Sequence, residues 1–138
     1  ERRARSSSSD DLMDALYRDY ILEHYKNPRN FGELEPHDLE WHDHNPLCGD
    51  ELGVHIVVDD GVIKELRFHG QGCAISQAAA SIPSEDLVGM PVDDISKLDA
   101  EWVIDQLGID ISPTRRKCAL LSLKVMRGAT TGDASWPE

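Results

Sequence analysis

The strongest constraint on the fold is a pair of alternating segments joined by a tight turn. Apolar residues occupy every second position of the first segment: Leu52, Val54, Ile56 and Val58. A period of two is typical of a β-strand with one buried face. Asp60-Gly61 then has the composition of a hairpin turn, and residues 62–69 return with Leu66 and Phe68 on the apolar face. The sequence therefore predicts an antiparallel hairpin, with a third strand near residues 39–44.

Helical patterns lie on both sides of this hairpin. Five helices are predicted, over residues 11–25, 76–81, 91–98, 99–107 and from Ser112-Pro113 onward. Apolar side chains recur at helical spacing in the first and the last of them, and Ser-Pro is a typical helix start. Pro83 is expected to end or kink the second helix, because an interior proline costs roughly 3 kcal/mol.

Length and composition predict a single domain. The chain has 138 residues, and its 40% of apolar residues suffices for one modest core. Residues 1–9 are polar and low in complexity, so we expect a disordered tail there. Residues 10–128 form the predicted domain, and residues 129–138, which are mostly small and polar, are expected to be a flexible C-terminal tail.

Charge and cysteine content argue against several classes of protein. A net charge of −12 with mostly dispersed cations argues against nucleic acid as a partner. No run of 18 apolar residues exists, and the first residues lack the apolar region of a signal peptide, so no membrane partner is expected. Three cysteines do not make a disulfide framework, which favours a reduced, cytoplasmic setting.

Each of the three cysteines occupies a position that suits an anion. Cys48 and Asp50 flank a glycine in a predicted loop, so both side chains can face one ion. Cys73 lies in a glycine-containing bend at the start of a predicted helix, where free backbone N–H groups favour a thiolate. Cys118 directly follows Arg115-Arg116-Lys117, three cations that are expected to lower the pKa of its thiol.

These residues have the chemistry of a metal site. Three thiolates and one carboxylate are a complete tetrahedral ligand set for Zn²⁺, and sulfur ligands equally suit an iron–sulfur cluster. The spacing does not show convergence, because the ligands come from a loop, a bend and a distant helix rather than from a paired C-x-x-C motif. Free cysteines are also often plain buried apolar residues, and Cys118, on an amphipathic helix, fits that alternative best when taken alone.

Four sequence motifs are distributed over nearly the whole predicted domain. They are NPRNFG at residues 27–32, NPLCGD at residues 45–50, GCAIS at residues 72–76 and RRKC at residues 115–118. Together with the N-terminal helix that precedes them, these motifs resemble the U-type scaffold proteins of iron–sulfur cluster assembly, IscU and SufU, which are similar to the N-terminal part of NifU.

This resemblance implies a fold and a partner. The expected fold class is α+β, with a small antiparallel three-stranded sheet packed against about five helices and a metal site at one end. The expected partner is a pyridoxal-phosphate-dependent cysteine desulfurase, which donates persulfide sulfur to a cysteine of this site. Acceptor apo-proteins or other cluster-assembly proteins would receive the product.

The sequence combines features of the two branches of the family. Scaffold-type IscU members carry a histidine immediately before the third cysteine, whereas Lys117 occupies that place here, as in SufU-type members. The segment between Cys73 and Cys118 is nevertheless short, as in the IscU branch. The lysine makes the chain more similar to SufU.

The resulting hypothesis is that Zn²⁺, or transiently an iron–sulfur cluster in its place, is bound by Cys48, Asp50, Cys73 and Cys118. Asp50 is expected to be the labile ligand, because a carboxylate is harder than a thiolate. The reactive persulfide acceptor is predicted to be Cys118 in a scaffold and Cys48 in a SufU-type carrier. One of the two arginines before Lys117 is expected to orient the sulfur, and the six histidines are not assigned as ligands.

Three classes of function remain open. A scaffold or sulfur carrier that binds a metal, iron or a nascent cluster is favoured. An enzyme in the strict sense, a zinc-dependent sulfurtransferase that relays sulfur without holding a cluster, is the alternative. A purely structural zinc domain ranks last, because three thiolates and a carboxylate make a poorer permanent clamp than four cysteines.

Overall fold

The structure is a computed structural model that describes residues 8–138, with side chains described from residue 15 onward. Of the predicted disordered tail, residues 1–7 lie outside the described part of the chain, and Ser8 and Ser9 already belong to the first helix. In this range none of the helices is long and apolar enough to cross a membrane.

The predicted α+β class with a three-stranded antiparallel sheet is confirmed. The elements follow in the order α1 (Ser8–Lys26), β1 (Leu39–Asn45), β2 (Asp50–Asp59), β3 (Val62–Gln71), α2 (Ala74–Leu87), α3 (Ala100–Leu107) and α4 (Arg116–Thr131). Two 3₁₀ turns, Val92–Lys97 and Pro113–Arg115, precede α3 and α4, so the helix predicted over residues 91–98 is a 3₁₀ turn.

The register of the sheet determines where the loops meet. Asn45 pairs with Asp50 across the β1–β2 connection, and Glu51 pairs with Gln71 at the end of β3. The β1–β2 loop and the bend that leads into α2 therefore lie at the same end of the sheet. This end carries both Cys48 and Cys73.

One face of the sheet packs against the helices and forms the core. Leu52, Val54 and Ile56 of β2 are fully buried, as the period-two pattern predicts. They contact a stripe of apolar side chains on α4 that includes Leu121 and Val125. The first turn of α4 lies at the end of the sheet that carries the cysteines, since Cys118 Sγ is 3.3 Å from Cys48 Sγ.

The helix α2 does not end at Pro83, so of the two predicted outcomes, an end or a kink, the first is wrong. It continues to Leu87 with Pro83 buried in its interior. A proline lacks the N–H that would bond to the carbonyl four residues earlier, here Ala79. The hydroxyl of Ser122 on α4 donates to that carbonyl at 2.7 Å and replaces the missing bond. The helix therefore passes through proline because a neighbouring helix satisfies the free acceptor.

The segment after residue 128 has more structure than its composition suggests. The helix α4 extends to Thr131, and Trp136 packs against both hydrophobic clusters of the core. The N–H of Ala100 donates to the carbonyl of Glu138 at 2.9 Å. Residues 131–135 are exposed, whereas Trp136 and the buried Pro137 return to the core. The flexibility of residues 129–138 stays a prediction.

Candidate functional site

The loop between β1 and β2 presents Cys48 to solvent. The carbonyl of Asn45 accepts bonds from the N–H groups of Cys48 at 3.2 Å and of Gly49 at 2.8 Å, which closes a tight turn. Gly49 has φ +76°, a left-handed conformation that glycine adopts without steric cost. Cys48 is exposed, and Leu47 beside it has 75% of its surface accessible. The thiol of Cys48 is therefore open to an approaching partner.

Asp50 connects this loop to the bend that carries Cys73. Its carboxylate is buried, with 2% of the residue accessible, and its Oδ1 atom accepts a hydrogen bond from the N–H of Cys73 at 3.0 Å. Its other oxygen, Oδ2, lies 4.0 Å from Cys73 Sγ. A Cβ atom on Gly72 would lie 2.6 Å from Asp50 Oδ1, so a larger residue there would displace the carboxylate.

Cys118 approaches from the first turn of α4. Its Sγ atom is fully buried and lies 3.3 Å from Cys48 Sγ. The side-chain amide of Asn45, itself fully buried, donates to Cys118 Sγ at 3.7 Å. Sequence reasoning did not identify Asn45 as a member of the site. The sequence feature that could have identified Asn45 is its position two residues before Leu47 in the NPLCGD motif, where a strand ends.

The predicted site residues thus converge at one end of the sheet. Ligand atoms of Cys48, Asp50 and Cys118 all lie within 4.8 Å of one another. Cys73 lies outside this group of three but is adjacent to it through Asp50. An open depression of about 800 Å³, here called the cysteine depression, lies over them. Its lining includes Leu47, Cys48, Asp50, Gly72, Cys73, Thr114 and Arg115.

The protonation of Cys118 differs from the expectation based on its basic neighbours. Burial raises the pKa of the Cys118 thiol well above its ordinary value, and the adjacent Cys48 thiol and Asp50 carboxylate act in the same direction. Arg115, Arg116 and Lys117 are exposed, whereas the thiol faces the interior. The cations that adjoin Cys118 in sequence therefore do not dominate its environment.

The two arginines before Lys117 have different surroundings. Arg115 lines the cysteine depression, and the negative charge of Cys73 and Cys118, together with a hydrogen bond to Cys73, raises the pKa of its guanidinium group. Arg116 lines a separate depression beside α3. Of the pair, Arg115 is the one placed to act on sulfur.

Lys117 points toward the C-terminal segment. Its Nζ atom lies 5.2 Å from the centre of the Trp136 ring, and Lys124 Nζ lies at the same distance. Such contacts between an ammonium group and an indole face are attractive. Trp136 thus contacts the residue that immediately precedes Cys118, a relation that the sequence alone did not indicate.

Comparisons with known proteins show the family to which the chain is similar. Residues 16–132 match the model of the NifU-like N terminal domain. The zinc-dependent sulfurtransferase SufU of Bacillus subtilis is 33% identical over 131 residues, covering 83% of this chain and 88% of the relative. The iron–sulfur cluster assembly scaffold protein IscU of Thermotoga maritima is 34% identical over 135 residues, covering 86% and 94%.

A solved structure shows the same fold. The crystal structure of FiSufU from Fervidobacterium islandicum AW-1, named as a scaffold protein for the SUF system, has a TM-score of 0.72 and 26% identity, covering 81% of this chain and 94% of that one. The resemblance predicted from the four motifs is confirmed. The chain belongs to the NifU-like N-terminal domain family, whose named members include both SufU and IscU proteins.

Proposed function

We propose that this chain is an iron–sulfur cluster assembly protein that accepts persulfide sulfur from a pyridoxal-phosphate-dependent cysteine desulfurase. The observation that carries the proposal is the convergence of Cys48 and Cys118, whose Sγ atoms are 3.3 Å apart, with Asp50 inside the same group. The names of relatives from both branches support the same process. Three free cysteines suit a reducing compartment such as the cytoplasm.

The arrangement fits a resident Zn²⁺ ion. Two thiolates on a tetrahedral zinc ion lie roughly 3.8 Å apart, given Zn–S bonds of about 2.3 Å, so Cys48 and Cys118 need only a small adjustment. Asp50 would supply the third ligand, and a rotation of Cys73 toward Asp50 would supply the fourth. When bound, zinc keeps its cysteine ligands deprotonated, which offsets the rise that burial causes in the pKa of Cys118.

The exposure of Cys48 supports it as the sulfur acceptor, the role predicted for it in a SufU-type carrier. The Cys48 thiolate attacks the terminal sulfur of the desulfurase persulfide, and the sulfur–sulfur bond of that persulfide breaks. A persulfide forms on Cys48, and the desulfurase cysteine leaves as a thiolate, so no external oxidant or reductant is needed. Cys118 is fully buried and cannot meet a partner's cysteine without movement of the loop. Cys118 would therefore stay in place as a buried ligand while Cys48 accepts the sulfur.

Arg115 and Asp50 would support this transfer in different ways. The Arg115 guanidinium group lies beside Cys73 and Cys118, where it stabilises negative sulfur. Asp50 is the ligand most suited to leave, because its Oδ1 atom already has a partner in the N–H of Cys73. Its departure would open one position for incoming sulfur.

A second form of the function has its own support. The cysteine depression is open and is lined by the thiols of Cys48 and Cys73, and Cys118 lies buried beside Cys48, which is enough room and sulfur for a transient iron–sulfur cluster. A scaffold would hold that cluster and pass it to apo-proteins. A zinc-dependent sulfurtransferase would relay sulfur and hold no cluster, and Lys117 in place of histidine favours this alternative.

The test is anaerobic purification with metal analysis, followed by incubation with a cysteine desulfurase, cysteine and iron. One equivalent of zinc, faster desulfurase turnover and a persulfide on Cys48 detected by mass spectrometry would support the relay. A visible cluster that transfers to an apo-protein would support the scaffold. The variant Cys48→Ser should lose the persulfide, whereas Arg116→Ala should retain it. Absence of bound metal, cluster and persulfide in the wild-type protein would refute both forms.

A further inference from the structure

The outer face of the sheet is rich in histidine. Because Leu52, Val54 and Ile56 face the core, the residues between them face away from it, and His55 is one of these. On the same face, Gly53 pairs with His42 of β1 on one side and with His69 of β3 on the other. His37, in the loop before β1, stacks on the ring of His55.

Gly53 has no side chain, and this leaves room for the imidazole rings of the outer face to contact one another. A Cβ atom at Gly53 would lie 2.5 Å from His69 Nε2, so the His69 ring occupies the space that a side chain would fill. The ring centre of His69 is 4.7 Å from that of His55, which is stacked on His37 with centres 3.9 Å apart. His37, His55 and His69 therefore form one contiguous set, here called the histidine cluster.

A carboxylate completes a metal-binding set within this cluster. Ligand atoms of Glu35, His37 and His55 all lie within 4.8 Å of one another, and His37 Nδ1 lies 2.9 Å from Glu35 Oε1. Two imidazoles and a carboxylate are ligands that first-row divalent ions such as Zn²⁺ bind readily. We propose that Glu35, His37 and His55 form a second metal site, which takes one divalent transition-metal ion and is independent of the cysteines.

One contact of His37 is typical of a histidine that binds a metal. Its Nε2 atom lies 2.6 Å from Glu40 Oε1. A histidine that binds a metal through one ring nitrogen commonly donates the other N–H to a carboxylate, which fixes the ring and strengthens the bond to the metal. Glu40 pairs with His55 across the strands, so one carboxylate stands next to both imidazoles. Glu40 is therefore a positioning residue for the proposed site.

Metal binding requires rearrangement at all three residues. His37 Nδ1 lies 2.7 Å from the carbonyl of Leu34 and must exchange that contact for the ion. The rings of His37 and His55 are stacked with 11° between their planes and must turn so that both point a nitrogen at the ion. Ligand atoms on a tetrahedral zinc ion lie roughly 3.3 Å apart, so atoms that lie within 4.8 Å of one another must close by at most about 1.5 Å. The side chain of Glu35 is 78% accessible and free to move. The N–H of Leu34 donates to His55 Nδ1 at 3.1 Å, and this bond would be lost if the ring bound the ion through that nitrogen. The amide of Leu34 therefore contacts a proposed ligand and is a suitable reporter of occupancy.

The site is separate from the cysteine depression. His55 lies five positions after Asp50 along β2, which corresponds to roughly 16 Å in a strand. Its ligands are nitrogen and oxygen only, whereas the cysteine site offers sulfur. Co²⁺ can distinguish the two, because only a thiolate-bound ion gives sulfur-to-cobalt charge-transfer absorption.

The test is a metal titration of the tag-free full chain at neutral pH. Wild-type protein should bind one more equivalent of Zn²⁺ than His55→Ala or His37→Ala. The added Co²⁺ ion should lack thiolate charge transfer, and Zn²⁺ should shift the Leu34 amide signal. Glu40→Gln should weaken the second ion at least about tenfold. The matched control is His44→Ala, an exposed histidine on β1 outside the cluster, which should bind as the wild type does.

Two results would overturn the proposal. One is an equal number of bound ions in wild type, His37→Ala and His55→Ala. The other is thiolate charge transfer for every bound Co²⁺ ion. Because His37 lies in a loop and His55 in a strand, loss of the ion in both folded variants cannot come from disruption of the sheet alone. The result does not depend on whether the cysteines bind zinc or a cluster.

Discussion

Replacing Ser122 by alanine should destabilise the protein because it would leave the Ala79 carbonyl without a partner. Ser122 is 4% accessible, and its hydroxyl donates to that carbonyl at 2.7 Å. Pro83 has no N–H to take its place. A buried acceptor left without a bond costs about 1–3 kcal/mol, so we expect Ser122→Ala to lower the free energy of unfolding by about 2 kcal/mol.

A double-mutant cycle with Pro83→Ala isolates this effect. The substituted alanine restores the N–H that can bond to the Ala79 carbonyl, so Ser122→Ala should cost much less in that background. The coupling between the two positions should be about 1–2 kcal/mol, measured by urea unfolding of the four proteins. Ser96→Ala, on an exposed 3₁₀ turn, is the control and should stay within about 0.5 kcal/mol of the wild type. Equal costs of Ser122→Ala in the wild-type and Pro83→Ala backgrounds would refute the reasoning.

Three further predictions concern titration and the site. Burial lowers the pKa of the His24 imidazole below its ordinary 6.5. The neutral ring therefore contributes fully to the free energy of unfolding above pH 6.5, and this contribution is lost as pH falls through the lowered pKa. His24→Gln should flatten the stability profile measured between pH 7 and pH 5. Cys48, being exposed, should react with iodoacetamide in chelator-treated protein before the buried Cys118, as peptide mass spectrometry would show, and the reverse order would contradict the assigned roles. Gly72→Ala should crowd both Ser76 Oγ and the Asp50 carboxylate and weaken zinc at the cysteine site at least about tenfold in chelator competition; unchanged affinity would contradict a displacement of Asp50 that matters for the metal.

The sequence predicted the sheet well because its signals are local. Alternation in β2 and β3 reflects one buried face, and the Asp60-Gly61 turn joins them, so the pairing could be inferred without knowing the rest of the fold. The same local rules failed for α2. The carbonyl freed by Pro83 is satisfied by a serine on another helix, and no local pattern contains that bond.

Prediction of the site was limited in the same way. The four residues proposed from the motifs lie at one end of the sheet, and ligand atoms of Cys48, Asp50 and Cys118 are close together, but the motifs did not show which thiol is exposed and which is buried. That difference depends on the rotation of α4 about its axis, which sets the Cys118 thiol inward while Arg115 faces the depression. The histidines were set aside individually because stacking between a loop and two strands is visible only in three dimensions.

The bond between Asp50 and the backbone has a consequence for the kinetics of ligand exchange. One carboxylate oxygen is held by the N–H of Cys73, so Asp50 would remain in place if its other oxygen left a metal ion. A tethered group returns with an effective concentration on the order of millimolar or higher. Release and recapture would then be rapid and reversible. The site could open for each transfer and close again without recruiting a ligand from solution.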